Sequence, residues 1–422
     1  MMKLSQFPFV KKYQNTPFVQ SCLQIKRNVS NTKEQRGVFS YFYIHKAQEA
    51  LTSAKHTDLQ TAAKKLIKKS DSLGHFYLAK SEFLLGEFEQ AKSNLSRFLA
   101  ANPNHIEAIY LLAEIHAIQG DKTLAWSLLE GLLTYSKRGK TWQHLSNLVE
   151  MPSDFEQYCV LFEKYFPEYL TVLLPFDLAS HLSNAAIRAG NTDFALDLWR
   201  RQYRLSMQVK NTAKPTASKQ YTDEKAAIAL SALKNCLDGS GIEFFLISGT
   251  LLGCIREGKL LGHDKDIDVG VWDDYGVQDL ASVVRRSGCF YVLPIYSPDI
   301  LVVRHVSGIT IDIFIHYREP DDYWHAGGKT RWHNSPFELA ERAFLGNTYL
   351  IPKDYHRYLT ENYGADWQTP KIEFDSAMDT PNVEVLSQKE FIIYLYKKTL
   401  SLTSSNRQSR YIGILKSLGE NI

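Results

Sequence analysis

Residues 244–272 read FFLISGTLLGCIREGKLLGHDKDIDVGVW. The apolar run 244–247 is the pattern of a short buried strand. Ser248, Gly249 and Thr250 break that strand and open a short helix over 251–257. A second strand, Ile267–Trp272, begins inside the acidic cluster Asp264, Asp266, Asp268. Residues two apart on a strand share a face. The three carboxylates therefore converge on one spot if the strand reaches back to Asp264. Like charges that close repel strongly. A cation belongs beside them, and a divalent metal ion bound through oxygen is the natural one.

Working outward, residues 309–315 (ITIDIFI) form another apolar strand with Asp312 alone among its hydrophobic neighbours. Asp266 and Asp268 likewise alternate with Ile267 and Val269. Exposed aspartates near a turn are ordinarily just solvated. Here two half-buried strands each carry acid inward, and an unpaired buried carboxylate is expensive. Mg²⁺ or Mn²⁺ would relieve that cost. Ahead of the acids, Gly249 allows a phosphate close to the backbone, and the N–H groups of the following helix start favour an anion. Ser248, Gly249 and Thr250 are thus candidate phosphate binders. Arg256 would complete the grip, the plain alternative being a surface salt bridge.

These residues resemble the LicD and fukutin-related group of the nucleotidyltransferase superfamily. Ser248-Gly249-Thr250-Leu251-Leu252-Gly253, Arg256 and Asp264-Lys265-Asp266-Ile267-Asp268 stand where that group has an SGT-LLG segment, an arginine and a W-D-x-D-x-D signature. His263 replaces the usual tryptophan, and Gly262 the proline before it. The resemblance spans about 226–376 and includes a tail from Ile351-Pro352-Lys353 to Trp367. It implies a nucleotidyltransferase-fold α/β domain with a small mixed sheet. It implies catalytic roles for Asp266, Asp268 and Asp312, and two Mg²⁺ or Mn²⁺ ions held by these three and Asp264. The implied donor is a CDP-activated alcohol such as choline, ribitol or glycerol. The acceptor would be a sugar hydroxyl of a surface polysaccharide or lipid-linked glycan, and CMP would be released. Rival readings are nucleotidyl transfer from an NTP, and a repeat scaffold without catalysis.

Residues 317–344 are dense in aromatics, histidines and cations. Trp324, Lys329, Arg331 and Trp332, with Arg304 from the strand before Asp312, could wall a donor or acceptor site. The ordinary reading is a β-hairpin turning at Gly327-Gly328 with packed aromatics. His316, His325 and His333 lack the cysteines and tight spacing of a zinc site.

The rest of the chain reads differently. From about 41 to 210, Leu78, Ala79, Gly86, Ala91 and Leu95 recur 34 residues later as Leu112, Ala113, Gly120, Ala125 and Leu129. That is the tetratricopeptide period, and it predicts an N-terminal α-solenoid. A third copy is legible at Leu182, Gly190, Ala195 and Trp199, with degenerate copies over 44–70 and 143–175. Such stacks hold protein partners, self-associate, or brace a neighbouring domain. Residues 1–40 form a basic arm with one acid, Glu34. It is either a loose solvated terminus or a peripheral contact to an anionic membrane or glycan. Residues 211–220 read as a linker, 221–385 as the catalytic domain, and 386–422 as one helix and a polar tail.

The 422-residue chain is long enough for two domains. Its 44% hydrophobic and 12% aromatic content is that of a globular protein. A net charge of +3 does not call for nucleic acid. The five cysteines form no CxxC pair, which predicts a reducing cytoplasm. No secretory leader or membrane-spanning run is legible, so a cytoplasmic or membrane-peripheral protein is expected.

Overall fold

The computed structural model describes residues 17–30, 32–208, 222–262, 266–371, 373–402 and 405–422. A helical N-terminal region is followed by a mixed-sheet domain and a closing pair of helices. The N-terminal helices are α1 (Pro17–Val29), α2 (Val38–Thr52), α3 (His56–Lys68), α4 (Leu73–Leu84), α5 (Phe88–Ala101), α6 (Ile106–Ile118), α7 (Lys122–Leu133), α8 (Gly139–Asn147), α9 (Pro152–Tyr165), α10 (Phe176–Arg188) and α11 (Thr192–Gln208).

The repeating alanines fall on matching helices. Ala79 and Ala113 lie in α4 and α6, Ala91 and Ala125 in α5 and α7, and all four are buried where helices meet. Only a small side chain lets helix axes approach so closely. Gly86, Gly120 and Gly190 follow α4, α6 and α10 with φ of +74°, +84° and +76°. That left-handed conformation ends a helix at little cost only in glycine.

The start of the chain departs from a loose arm. Lys3, Lys11 and Lys12 lie outside the described residues, but α1 is folded onto the first helices. Asn28 is fully buried, and its amide donates to Gln48 Oε1 (3.4 Å) and Tyr77 OH (3.2 Å). The Arg36 side chain is buried too, paired with Asp71 at 2.7 Å and Glu34 at 3.1 Å. Charge counting missed this because Ile25 and Val29 anchor the segment to the core. The expected linker 211–220 lies outside the described residues.

The sheet domain runs α12 (Asp223–Asp238), β1 (Phe244–Leu246), α13 (Ser248–Arg256), β2 (Ile267–Trp272), α14 (Val277–Val284), β3 (Phe290–Val292), β4 (Ile300–His305), β5 (Thr310–Arg318), β6 (Tyr323–Gly327), β7 (Thr330–Asn334), β8 (Leu339–Phe344), β9 (Asn347–Pro352), α15 (Tyr355–Tyr363), α16 (Ser376–Asp379) and β10 (Val383–Val385). Strand order is β10-β7-β6-β5-β2-β1-β9-β8; β4 lies on the first half of β5, and β3 on β4. The pairs β2–β5 and β1–β9 are parallel and the others antiparallel. Ile267, Val269 and Val271 of β2 and Ile311, Ile313 and Ile315 of β5 share one core with Leu230 and Leu233 of α12 and Leu280 and Val284 of α14. The odd-numbered positions of both strands are therefore spent on packing, which leaves the even-numbered ones for the other face.

The expected polar tail is instead a helix. α17 (Gln388–Ser401) and α18 (Ser405–Ser417) pack as a pair, and α17 lies along α11. Tyr411, Ile414 and Leu415 supply the apolar stripe within the polar sequence. Arg200 of α11 closes the contact on Glu420 at 2.6 Å. The helical region also grips the sheet domain directly. His56 Nε2 lies 2.7 Å from Gly288 O, Phe83 stacks on Tyr291 at 6.2 Å, and Tyr296 donates to Asn147 Oδ1 at 3.1 Å. Bracing, one of the roles open to such a stack, is thus realised within the chain. Among the described residues no helix is long and apolar enough to cross a membrane.

Candidate active site

The site is built from two adjacent parallel strands and the helix start that faces them. The register sets Asp268 directly beside Asp312. Neighbouring strands lie about 4.8 Å apart, so these two side chains leave the same face as close neighbours. Asp266 precedes β2 and lines the same cavity. Burial, then the negative charge of Asp266, pushes the Asp312 carboxyl up to about 7. Asp264 lies outside the described residues.

The opposite wall is the start of α13, which begins at Ser248 rather than at Leu251. Ser248 has φ +47°, a left-handed conformation that costs a serine energy and turns the chain sharply out of β1. Ser248 and Gly249 line the cavity. Thr250 does not: it is fully buried, and its Oγ1 accepts the Asp268 N–H at 2.8 Å. The residue read as a phosphate binder therefore pins the acid strand to the helix start. Gly253 keeps the helix close to the loop behind it, since a Cβ there would come 2.6 Å from Lys259 O. Gly270 similarly admits the Phe245 ring, which would lie 2.5 Å from its Cβ. Arg256 reaches the cavity with its side chain 12% exposed. It donates to Trp367 O at 3.4 Å and pairs with Glu257 at 3.0 Å, while its buried Nε has no partner.

The cavity encloses about 360 Å³. Of the residues expected to wall a donor or acceptor site, Trp332 is there and the others point elsewhere. Period-two geometry is the reason. His325 pairs with Trp332 across the hairpin, so both face the cavity, while Trp324 and Arg331 leave the opposite face. Trp324 stacks on Tyr317 at 4.0 Å, with the Arg331 guanidinium 4.1 Å from its own ring. Lys329 sits in the turn, over the Tyr394 ring at 4.3 Å. Arg304 lies over Tyr291 at 5.7 Å and helps offset the charge of half-buried Glu114 in the helical region.

Phe314, which the sequence did not single out, and His325, from the stretch rich in aromatics and histidines, complete the floor. Phe314 follows Asp312 by two on β5 and so shares its face. His325 stacks on His316 at 4.4 Å and on Trp332 at 5.2 Å. Burial holds His316 and His325 well below the usual imidazole range, so both are neutral. His333 leaves the other face, bonded to Asp322 at 2.7 Å and Glu384 at 3.1 Å. The far wall comes from Asn362, Tyr363, Trp367, Lys371, Phe374, Ser376 and Thr380. Part of it was signalled by the Glu361–Trp367 tail; the rest carries no local pattern.

Among the described residues, no three His, Cys, Asp or Glu side chains form a ready-made metal cluster. The donor chemistry still fits a hard divalent ion: Asp266, Asp268 and Asp312 offer carboxylate oxygens to one cavity. The raised Asp312 marks negative charge crowded into a poorly solvated place.

Residues 241–354 match the LicD/FKTN/FKRP nucleotidyltransferase domain. The chain is 26% identical over 213 residues to a protein named ribitol-5-phosphate transferase FKTN from Macaca fascicularis, covering 42% of this chain and 44% of the relative. The Homo sapiens protein of that name is 26% identical over 212 residues, covering 44% of this chain and 42% of the relative. This chain thus spans less than half the length of the curated relatives it matches. The matched segment contains the helix start at Ser248, the acids of β2 and β5, and the His325–Trp332 hairpin. The likeness to the LicD/FKTN/FKRP nucleotidyltransferase domain is therefore carried by residues 241–354 of this chain.

Proposed function

We propose that this protein is a metal-dependent phosphotransferase. It moves a phospho-alcohol from a CDP-activated donor to a sugar hydroxyl of a surface polysaccharide or lipid-linked glycan and releases CMP. The observation that carries this reading is the register of Asp268 beside Asp312, across one cavity from the Ser248-Gly249 turn. The name of the relatives, which are ribitol-5-phosphate transferases, supports the class of group transferred.

Asp266, Asp268 and Asp312 would hold Mg²⁺ or Mn²⁺, with Asp264 a further ligand. When bound, the ions neutralise diphosphate charge and favour in-line displacement at phosphorus. The chain's own groups do the rest. Backbone N–H groups at the start of α13 and the Arg256 guanidinium orient the phosphates. Trp332, His325 and Phe314 offer a face for the base or a sugar ring. Asp312 accepts the proton of the acceptor hydroxyl. The acceptor oxygen bonds to the β-phosphorus, the bond from that phosphorus to the bridging oxygen breaks, and CMP leaves with the electron pair. The helical region acts as a tetratricopeptide-like stack that braces this domain. All five cysteines are free, which supports a cytoplasmic setting.

The test is CMP release by the purified protein with Mg²⁺ or Mn²⁺ against a panel of CDP-ribitol, CDP-glycerol and CDP-choline. One donor should turn over. Asp268→Asn and Asp312→Asn should each lower the rate by roughly 100-fold or more with an unchanged melting curve. Pyrophosphate release from an NTP would instead select nucleotidyl transfer. Inactivity toward every donor, together with no metal binding, would leave a scaffold.

A further inference from the structure

The first turn of α2 carries its apolar side chains on the outside. Val38, Phe39, Tyr41 and Phe42 are 84%, 69%, 47% and 54% exposed. The buried face of the same helix is Ile44, Ala47, Gln48, Ala50 and Leu51, so these four are not strays from the core stripe. One and two turns further along, the outer side carries the ion pair Lys46–Glu49, as a solvated helix face should. A helix face turned to solvent is ordinarily polar. Here that rule is broken over the start of α2.

The rim of this patch is basic. α2 and α3 pack as a pair, and the end of α3 brings Lys69 over Phe39 at 5.3 Å from the ring centroid. Lys64, Lys65, Lys68 and Lys69 are all exposed around that end. The acids that could neutralise them are turned inward: Glu34 and Asp71 both bind Arg36, whose side chain is 2% exposed. Aromatic rings beside an uncompensated lysine cluster match the two demands of a lipid–water interface. Rings settle at headgroup depth, and lysines are drawn to an anionic leaflet. A second copy fits worse, because a two-fold contact through this patch would set each lysine cluster against its own image.

We propose that the outer end of the α2–α3 pair is a docking site for an anionic membrane surface. Phe39 and Phe42 enter the headgroup layer, and Lys65, Lys68 and Lys69 bind its negative charge. The site lies in the helical region and does not depend on the reaction assigned to the sheet domain.

The experiment is co-sedimentation of the full-length protein with phosphatidylcholine vesicles, with and without phosphatidylserine. Binding is expected only with phosphatidylserine, and it should weaken as salt is raised. The variants Phe39→Ser/Phe42→Ser and Lys68→Glu/Lys69→Glu should each bind about tenfold more weakly while melting like the parent. Failure of the parent to bind phosphatidylserine vesicles would overturn the proposal. So would undiminished binding by both variants, or a parent dimer that Phe39→Ser/Phe42→Ser dissociates, which would assign the patch to self-association.

Discussion

Thr250 shows how much of this site is positioning rather than contact. Its buried hydroxyl accepts the backbone N–H of Asp268, so the acid strand and the helix start share one hydrogen bond. Thr250→Val would leave a buried donor unpaired and should cost about 1–3 kcal/mol in urea unfolding. Thr250→Ser keeps the hydroxyl and should recover most of that loss. Ser248 stands in the opposite situation. Its φ of +47° is strained for serine and natural for glycine. Ser248→Gly should therefore raise stability by about 0.5–1 kcal/mol. The same change removes a hydroxyl from the cavity wall, so CMP release should fall while the unfolding midpoint rises. A loss of stability instead would show that the serine hydroxyl contributes more than the strain costs.

At the scale of elements, the cavity wall is held from behind by the C-terminal helices. Trp332 Nε1 donates to Ser376 O at 3.1 Å and to Thr380 Oγ1 at 3.0 Å, which ties β7 to α16 and the residue that follows it. Asp375 caps α16 by accepting the Ala377 N–H at 3.1 Å. Its carboxylate also accepts hydrogen bonds from Tyr394 of α17 and, at 2.7 Å, from Tyr411 of α18. Burial pushes the Asp375 carboxyl up, but these tyrosines and the charge of Lys398 outweigh it, and the group ends below the usual carboxylate range. A carboxyl depressed on folding stabilises above its unfolded value, near 3.9. That contribution is lost as pH falls through the lower folded value. Stability should thus drop on the acid side of about pH 4, and Asp375→Asn should flatten that limb when melting temperature is followed against pH. Tyr411→Phe should cost about 1.5–3 kcal/mol at neutral pH, the scale of a hydrogen bond to a charged group.

Across the whole molecule, the helical region and the sheet domain meet through a few specific contacts. His56 bridges them: Nε2–H donates to Gly288 O at 2.7 Å, which leaves Nδ1 to accept from Ser81 Oγ at 2.7 Å. Gly288, at φ +76°, has room for nothing larger, because a Cβ would lie 2.8 Å from the His56 ring. His56→Ala should speed amide hydrogen exchange across β3 and its preceding turn while leaving β2 and β5 protected. Equal protection in both proteins would mean that the stacked Phe83–Tyr291 pair holds the junction without it. His56 opens α3, and the apolar patch with its lysines lies at the other end of the same α2–α3 pair.

The sequence alone determined the local facts. Apolar alternation marked β2 and β5, the 34-residue spacing put small residues and turn glycines on matching helices, and isolated aspartates in apolar strands marked the acids. Each is a short-range pattern, written by the requirement that one face of an element be buried. Tertiary structure decided which of these residues meet. Only the parallel pairing of β2 with β5, a connection across more than forty residues of chain, sets Asp268 beside Asp312. Only the hairpin register sends Trp332 into the cavity and Trp324 out of it, since a shift of one residue reverses every side chain. The fold of the last helix onto the first region, and the wall built from residues 362–380, rest on contacts between distant parts of the chain. No window of sequence contains both partners, so nothing local could announce them.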